Sequence, residues 1–429
     1  MAKLSQRLTL ALFFSALAFG VGCSDDPDNG ENELNNQNNQ TNQNNDNQNN
    51  GEEPQSCDVT SWECDEFVDG PQLNERRHGH QSVVFDNGEV LLLGGLARQA
   101  DSPASGTTNT WEVFDTEADE VVADDDIPEQ RQEASVIQLD NGSVLAIAGR
   151  SGNVELASAA HFDPDSLEWT SLPHMNDQYD HATHLPDNRA VALGASSSGG
   201  DQSSITGQVF DPALFEWSSI ESIDLDHGQL HNLVSEATPD NELFVVFTHP
   251  IDTPDGNDPD LFYFSVSAIL YNFEDGTYDE LETFEHIGVS LDEMDAAIST
   301  TLTYLPDSDT ILTQLRTRDD EGAEGPVLAY LFDPASGTLE EQYERDPSPG
   351  RVRQVLPGDE IIYASSAQVQ LYDVETDTWR AFTSFPEGIY YSSMELLPDC
   401  RLFVSGERTL DLSDAELREV DTGYCLPAE

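Results

Sequence analysis

The octapeptide FDPDSLEW, residues 162–169, comes back as FDPALFEW at 210–217 and, more loosely, as YDVETDTW at 372–379. The unit is an aromatic or apolar residue, Asp or Asn, five residues, and a large apolar residue. It occurs seven times, the other copies being FDTEADEV at 114, YNFEDGTY at 271, FDPASGTL at 332 and LDLSDAEL at 410. The first and last copies are the weakest. An Asp behind an aromatic accepts hydrogen bonds from turn amides, and a following Pro fixes φ, so each copy reads as a β-hairpin. Its repeat anchors are Phe162, Asp163 and Trp169, then Phe210, Asp211 and Trp217, then Tyr372, Asp373 and Trp379. The tryptophans are expected to pack between neighbouring units.

A second hairpin precedes each copy. Its turns are FDNGE at 85, LDNGS at 139, LPDNR at 185, TPDNE at 238, LPDSD at 305, LPGDE at 356 and LPDCR at 397. Asp-Asn-Gly and Pro-Asp turns between apolar runs are hairpin signals. The runs behind them, VLLLGG at 90–95 or VLAIAG at 144–149, are short and rich in Val, Leu and Ile, as strands buried on both faces are. Two hairpins per repeat make four strands, and four-stranded units at this period build a β-propeller, in which packing of blade on blade makes the core. The expectation is an all-β, seven-bladed propeller of four-stranded antiparallel blades over residues 77–425, with a 426–429 tail and six blades as the alternative.

The pattern resembles the kelch repeat family, including its galactose-oxidase-like relatives: a basic residue, a strand, a strand ending in Gly-Gly, then Tyr-Asp and a spaced Trp. Blade 1 carries Arg77, Val83, Val84, Gly94 and Gly95, and blade 2 carries Arg131 and Gly149; later blades lose the glycine pair. The resemblance implies fold; kelch-like propellers are mostly interaction platforms and a minority are enzymes.

The ends carry the localisation signals. Lys3 and Arg7 precede an apolar run that is shorter than the ~20 residues of a membrane span, so residues 1–22 read as a secretory leader. Gly-Val-Gly-Cys at 20–23 resembles the bacterial lipoprotein box, with Gly20 where that family usually has Leu; the resemblance implies lipid on Cys23. Residues 23–56, rich in Asn, Gln and Asp, hold almost nothing apolar to offset the entropy of ordering and read as a flexible tether reaching roughly 30 Å. The expected location is the cell envelope, in the outer or the inner membrane, with the domain extracytoplasmic; Ser24 fits outer-membrane sorting by the rule of enteric bacteria.

Of five cysteines, lipid on Cys23 leaves Cys57, Cys64, Cys400 and Cys425, an even set suited to disulfides in an exported protein. They lie in the 57–76 segment and the last blade, where a ring must lock. Trp62 and the residues just after it read as the outer strand of blade 7. Cys57–Cys64 with Cys400–Cys425 is the first of three connectivities.

The formal charge is −66, and losing Lys3 and Arg7 with the leader takes it to −68. Lys3 is the only lysine. Such a chain repels nucleic acid and anionic lipid, so membrane contact is expected through the lipid alone. The even spread of acids resembles proteins adapted to high salt, where screening relieves self-repulsion.

Copper radical oxidation, known in one propeller relative, needs a Cys joined to a Tyr, a second Tyr and two His; the central blades here have no Cys. Sialidase boxes, GxSxG, HExxH, P-loop and CxxC motifs do not occur. Histidines do cluster where inner strands begin. His80, His181, His184 and His231 are candidate metal ligands at one mouth of the central channel. Asp252, Asp255, Asn257, Asp258 and Asp260 offer closely spaced oxygens that suit Ca²⁺, the one cofactor the sequence points to. The expected function is a tethered, monomeric module that binds an envelope or extracellular protein or a glycan. The alternative is an envelope enzyme, a carbohydrate oxidase or lyase-like propeller with an axial metal.

Overall fold

The computed structural model describes residues 64–427 except 71, 99–104, 180, 198–201, 252–260, 274, 282–284, 291–297, 319–323, 346–351, 365–368, 384–388 and 409–421. Cys23, the tether, Cys57, Trp62, the Asp252–Asp260 candidates and the 410–417 octapeptide lie outside the described residues.

Among the described residues seven antiparallel sheets each contain a four-strand path. Blade 1 is Gln81–Val84, Glu89–Leu93, Thr110–Asp115 and Glu120–Asp126. Blade 2 is Ser135–Gln138, Val144–Ile147, Ala159–Asp163 and Glu168–Ser171. Blade 3 is His181–His184, Ala190–Ser197, Ser203–Asp211 and Glu216–Ser219; blade 4 is His231–Ala237, Glu242–Ile251, Leu261–Asn272 and Tyr278–Glu280. Blade 5 is Ile298–Leu305, Thr310–Arg318, Glu324–Asp333 and Thr338–Arg345; blade 6 is Val352–Val355, Glu360–Ala364, Val369–Asp373 and Thr378–Thr383. Blade 7 takes Ile389–Leu396, Leu402–Arg408 and Thr422–Pro427 from the C-terminal end, and its fourth strand, Cys64–Asp69, from before blade 1. The six-bladed alternative is set aside.

Each described octapeptide is the hairpin between third and fourth strands. Phe162 pairs with Trp169, Phe210 with Trp217, and Tyr372 with Trp379. The aspartate closes the turn: Asp163 Oδ1 accepts from the Asp165 amide at 3.0 Å, Asp211 Oδ1 from Ala213 at 2.8 Å, and Asp373 Oδ1 from Thr376 at 3.0 Å.

The core is divided into seven hydrophobic clusters, and each straddles two neighbouring blades. Trp169 packs half-buried on the blade 1–2 cluster, Trp217 on that of blades 2–3, and Trp379 on that of blades 5–6. Aromatic pairs lie in these interfaces, Trp111 with Phe162 at 5.2 Å and Phe244 with Phe332 at 4.1 Å, each adding about 0.5–1.5 kcal/mol to area burial. The seventh cluster joins Phe403 of blade 7 to Phe114 of blade 1 and closes the circle.

The kelch-like residues have physical reasons. Gly94 and Gly95 have φ of +62° and +88°, and a Cβ there would stand 2.4 Å from the Arg131 carbonyl oxygen and 2.6 Å from that of His78. Arg77 is buried, donating to the Thr110 carbonyl at 2.7 Å and to Glu112 Oε1 at 2.5 Å. Arg131 donates to the carbonyls of Ala146 and Ala148 at 3.2 and 3.1 Å, and burial lowers its pKa to about 10, so it stays charged at neutral pH.

Candidate functional site: the inner wall and its mouth

The first strands of the seven blades touch one another around a closed circle, so they form the wall of the axial channel. That wall is polar where the second strands are apolar, and its polar groups reach from blade to blade. Ser135 Oγ accepts from the Ala182 amide at 3.0 Å. Thr183 Oγ1 donates to the Ser235 carbonyl at 3.0 Å. Arg353 of blade 6 donates to Thr303 Oγ1 at 2.6 Å and to the Leu302 carbonyl at 2.8 Å, both in blade 5. Ser82 of blade 1 donates to Glu395 Oε1 of blade 7 at 2.5 Å.

The four nominated histidines are not brought together. His80 is fully buried, with Nε2 2.7 Å from Ser405 Oγ across the blade 1–7 junction. Its pKa falls to about 3, first through burial and then through the charges of Arg77 and His78, which keeps it neutral. His181 donates from Nε2 to the Ser235 carbonyl at 3.0 Å, and burial lowers its pKa despite that bond. His184 is at the other end of the same strand, where Nε2 is 4.0 Å from Asp140 Oδ1. His231 sets its ring edge-on to Phe264 at 5.7 Å. The reason is the strand boundary: DHATH enters the strand at His181, so His181 and His184 sit at opposite ends and not in one loop. Among the described residues no three His, Cys, Asp or Glu form a group that could hold a metal ion.

Two wall carboxyls escaped the sequence reading. Glu236 on blade 4 and Glu395 on blade 7 are both pushed up to about 7, in each case mainly by burial; the Ala237 amide hydrogen bond and then the charge of Arg353 oppose the shift at Glu236, and the Ser82 hydrogen bond opposes it at Glu395. The signal was present: SEAT and MELL each interrupt an inner strand with a glutamate, without a hydrophobic-periodicity reason. The consequence for stability is directional. Below pH 4.5, the ordinary value, Glu395 is protonated both folded and unfolded and contributes nothing. Between pH 4.5 and about 7 the folded chain keeps a proton that the unfolded chain releases, so stability falls as pH rises through that window and is level above it. Glu395→Gln keeps an acceptor for Ser82 and removes the ionisation. It is expected to stabilise the protein by about 2–3 kcal/mol at pH 8 and by nothing at pH 4. Urea titrations of both proteins at the two pH values check this; equal stability at pH 8 would refute it.

A cleft of 230 Å³ lies at the edge of blade 1 among Asn74, Glu75, Arg77, Thr110, Glu112 and Asp124–Asp126. Its floor is the Arg77–Glu112 pair, and Asn74 Nδ2 donates to Asp124 Oδ2 at 3.1 Å across it.

No family model matches the chain, and no curated protein does. Among solved structures it is similar to a fungal alcohol oxidase of the AA5 family in complex with copper, at 12% identity and a TM-score of 0.52, over 84% of this chain and 76% of the other. At that identity the likeness concerns architecture. Together with the seven sheets it gives the chain the fold of a galactose-oxidase-like kelch propeller.

Proposed function

We propose that this protein is a lipid-anchored, extracytoplasmic propeller that binds an envelope or extracellular protein, or a glycan, through its loops. The observation behind this reading is the use of the inner wall. Serine, threonine, arginine and histidine side chains that could serve an axial reaction centre bond one blade to the next, at Ser82–Glu395, His80–Ser405, Thr183–Ser235 and Arg353–Thr303. A wall committed to holding the ring leaves recognition to the loops, where rigid scaffolds carry it. The leader, Cys23 and the acidic tether support the anchored location.

The test is cross-linking from native envelopes at high salt with the lipidated protein as bait. One stoichiometric protein partner is the expected result. Absence of any protein partner would overturn the protein arm and turn the test to glycan arrays. A stoichiometric transition metal, lost with His80, His181 or His231 substitutions, would favour the enzyme reading instead.

We propose in the same frame that Cys400, which is disulfide-bonded, pairs with Cys425, and Cys57 with Cys64. The register supports this, because Cys425 is opposite Leu402, two positions from Cys400. A non-reducing digest cleaved at glutamates is expected to join the Cys400 and Cys425 peptides; a Cys57–Cys400 link would refute the pairing.

A further inference from the structure

The sixth position of the octapeptide is left-handed in every described copy. The residues are Asp119 (φ 61°), Leu167 (57°), Phe215 (55°), Gly276 (69°), Gly337 (67°) and Asp377 (49°). Glycine accepts this conformation freely and Asp tolerates it, whereas large apolar side chains adopt it against steric repulsion. Blades 2 and 3, which are neighbours, carry Leu and Phe there. Both stay exposed, Leu167 at 38% and Phe215 at 44% although its ring meets Phe210 edge-on at 6.0 Å, and the adjacent Leu214 is 66% exposed.

These three make up most of the exposed large hydrophobics among the described residues, the others being Val122 and Val154. Leu214 and Phe215 are adjacent on the tip of the blade 3 hairpin, and Leu167 is on the tip of the blade 2 hairpin. The Phe215 ring crosses to blade 2, where it meets His161 edge-on at 5.1 Å, on the strand that runs into the turn bearing Leu167. Exposed carboxylates rim these tips: Asp163, Asp165 and Glu168 from one hairpin and Glu216 from the other. Apolar centre and anionic rim together specify the occupant.

We propose that the hairpin tips of blades 2 and 3 are a docking surface for a protein segment that presents apolar side chains flanked by lysine or arginine. The apolar side chains would cover Leu167, Leu214 and Phe215, and the basic flanks would meet the carboxylate rim. A second copy of this chain is a poor occupant, since it brings 83 acidic residues against 17 basic ones. This inference rests on the binding-module reading and names its partner's chemistry.

The experiment uses the purified full chain and fluorescent synthetic peptides, read by anisotropy. One peptide is an amphipathic Leu/Lys sequence, the other an equally charged Lys/Ser sequence. The variant is Leu167→Gly, Leu214→Ser, Phe215→Gly. The Leu/Lys peptide is expected to bind the native chain and to lose at least about tenfold in affinity on the variant. The Lys/Ser peptide is expected to bind both proteins equally weakly. The variant's Tm is expected to hold or rise, because glycine relieves the left-handed turn. Equal Leu/Lys binding to both proteins would overturn the proposal, as would a large drop in Tm, which would mark the residues as structural. Leu214→Ser alone, at the most exposed position, supplies the binding readout if the triple variant does not fold. Dimerisation of the native chain, or its binding to phosphatidylcholine vesicles, abolished in the variant would also overturn it. An envelope partner captured equally by native chain and variant would overturn the docking surface and leave the binding-module reading standing.

Discussion

A chain beginning at Gly70 is expected to lose a large part of its folding stability, although Cys64–Asp69 is the one strand it removes among the described residues. Cys64–Asp69 is the fourth strand of blade 7, in register with Thr422–Pro427 from Asp69 opposite Gly423 to Cys64 opposite Pro427. Its hydrogen bonds contribute roughly 0.5–1.5 kcal/mol each. Across the strand that amounts to about 3–6 kcal/mol, a large share of the 5–15 kcal/mol that stabilises a typical domain. The loss also spreads. Blade 7 contributes to the clusters on both its sides, Met394, Leu402 and Val404 toward blade 6, and Leu397 and Phe403 toward blade 1. Without its outer strand, Thr422–Pro427 becomes a bare edge, prone to fray or to pair with another chain. Urea unfolding should show a lower midpoint, and a synthetic peptide spanning residues 62–72 added in trans should restore part of it. An unchanged midpoint would mean that the pairing with Thr422–Pro427 is not what closes the ring.

The second large effect is expected at Glu112. Its side chain is 1% exposed and that of Arg77 0%. Glu112 also accepts from the Asn74 amide at 2.5 Å and the Glu75 amide at 3.2 Å, so it ties the segment before blade 1 to the third strand of that blade. Glu112→Ala strands a buried guanidinium and two amides, and should destabilise by about 3–5 kcal/mol. Glu112→Gln keeps one acceptor oxygen but turns the other into an NH2 that faces donors, and should lose less than Glu112→Ala. The double variant Arg77→Met, Glu112→Leu removes both charges and should recover part of the loss, but only part, because Thr110 and Gly94 then lose the donor of Arg77 to their carbonyls. Thermal unfolding of the four proteins checks the order. A Glu112→Ala protein as stable as the native one would show that the pair carries no net stabilisation.

Several features were legible before any coordinates. The hairpin of FDPDSLEW is built by residues within eight positions of one another, and Asp163 closes its own turn. Repetition then counts the blades, and even the weak copy at 114 forms the same pairing, with Asp115 opposite Glu120. The histidine constellation was not legible. Residues at equivalent sequence positions need not point the same way, since each side of a strand faces a different blade: His181 turns to the Ser235 carbonyl of blade 4, whereas His80 turns to Ser405 of blade 7. The two wall glutamates can be noticed singly in SEAT and MELL, but their burial and the buried ion pair cannot, because that environment comes from other blades.

What the sequence by itself determined is the repeating element and the acidic character of the chain. Propensity, turn chemistry and period act over a few residues, and they survive in a degenerate repeat. What only the tertiary structure decided is the meaning of single polar side chains. Ser82 meets Glu395, and His80 meets Ser405, across sequence separations of 313 and 325 residues. Such partners meet only when the ring closes, and burial, desolvation and charge at the wall are set by that closure, which no local pattern encodes.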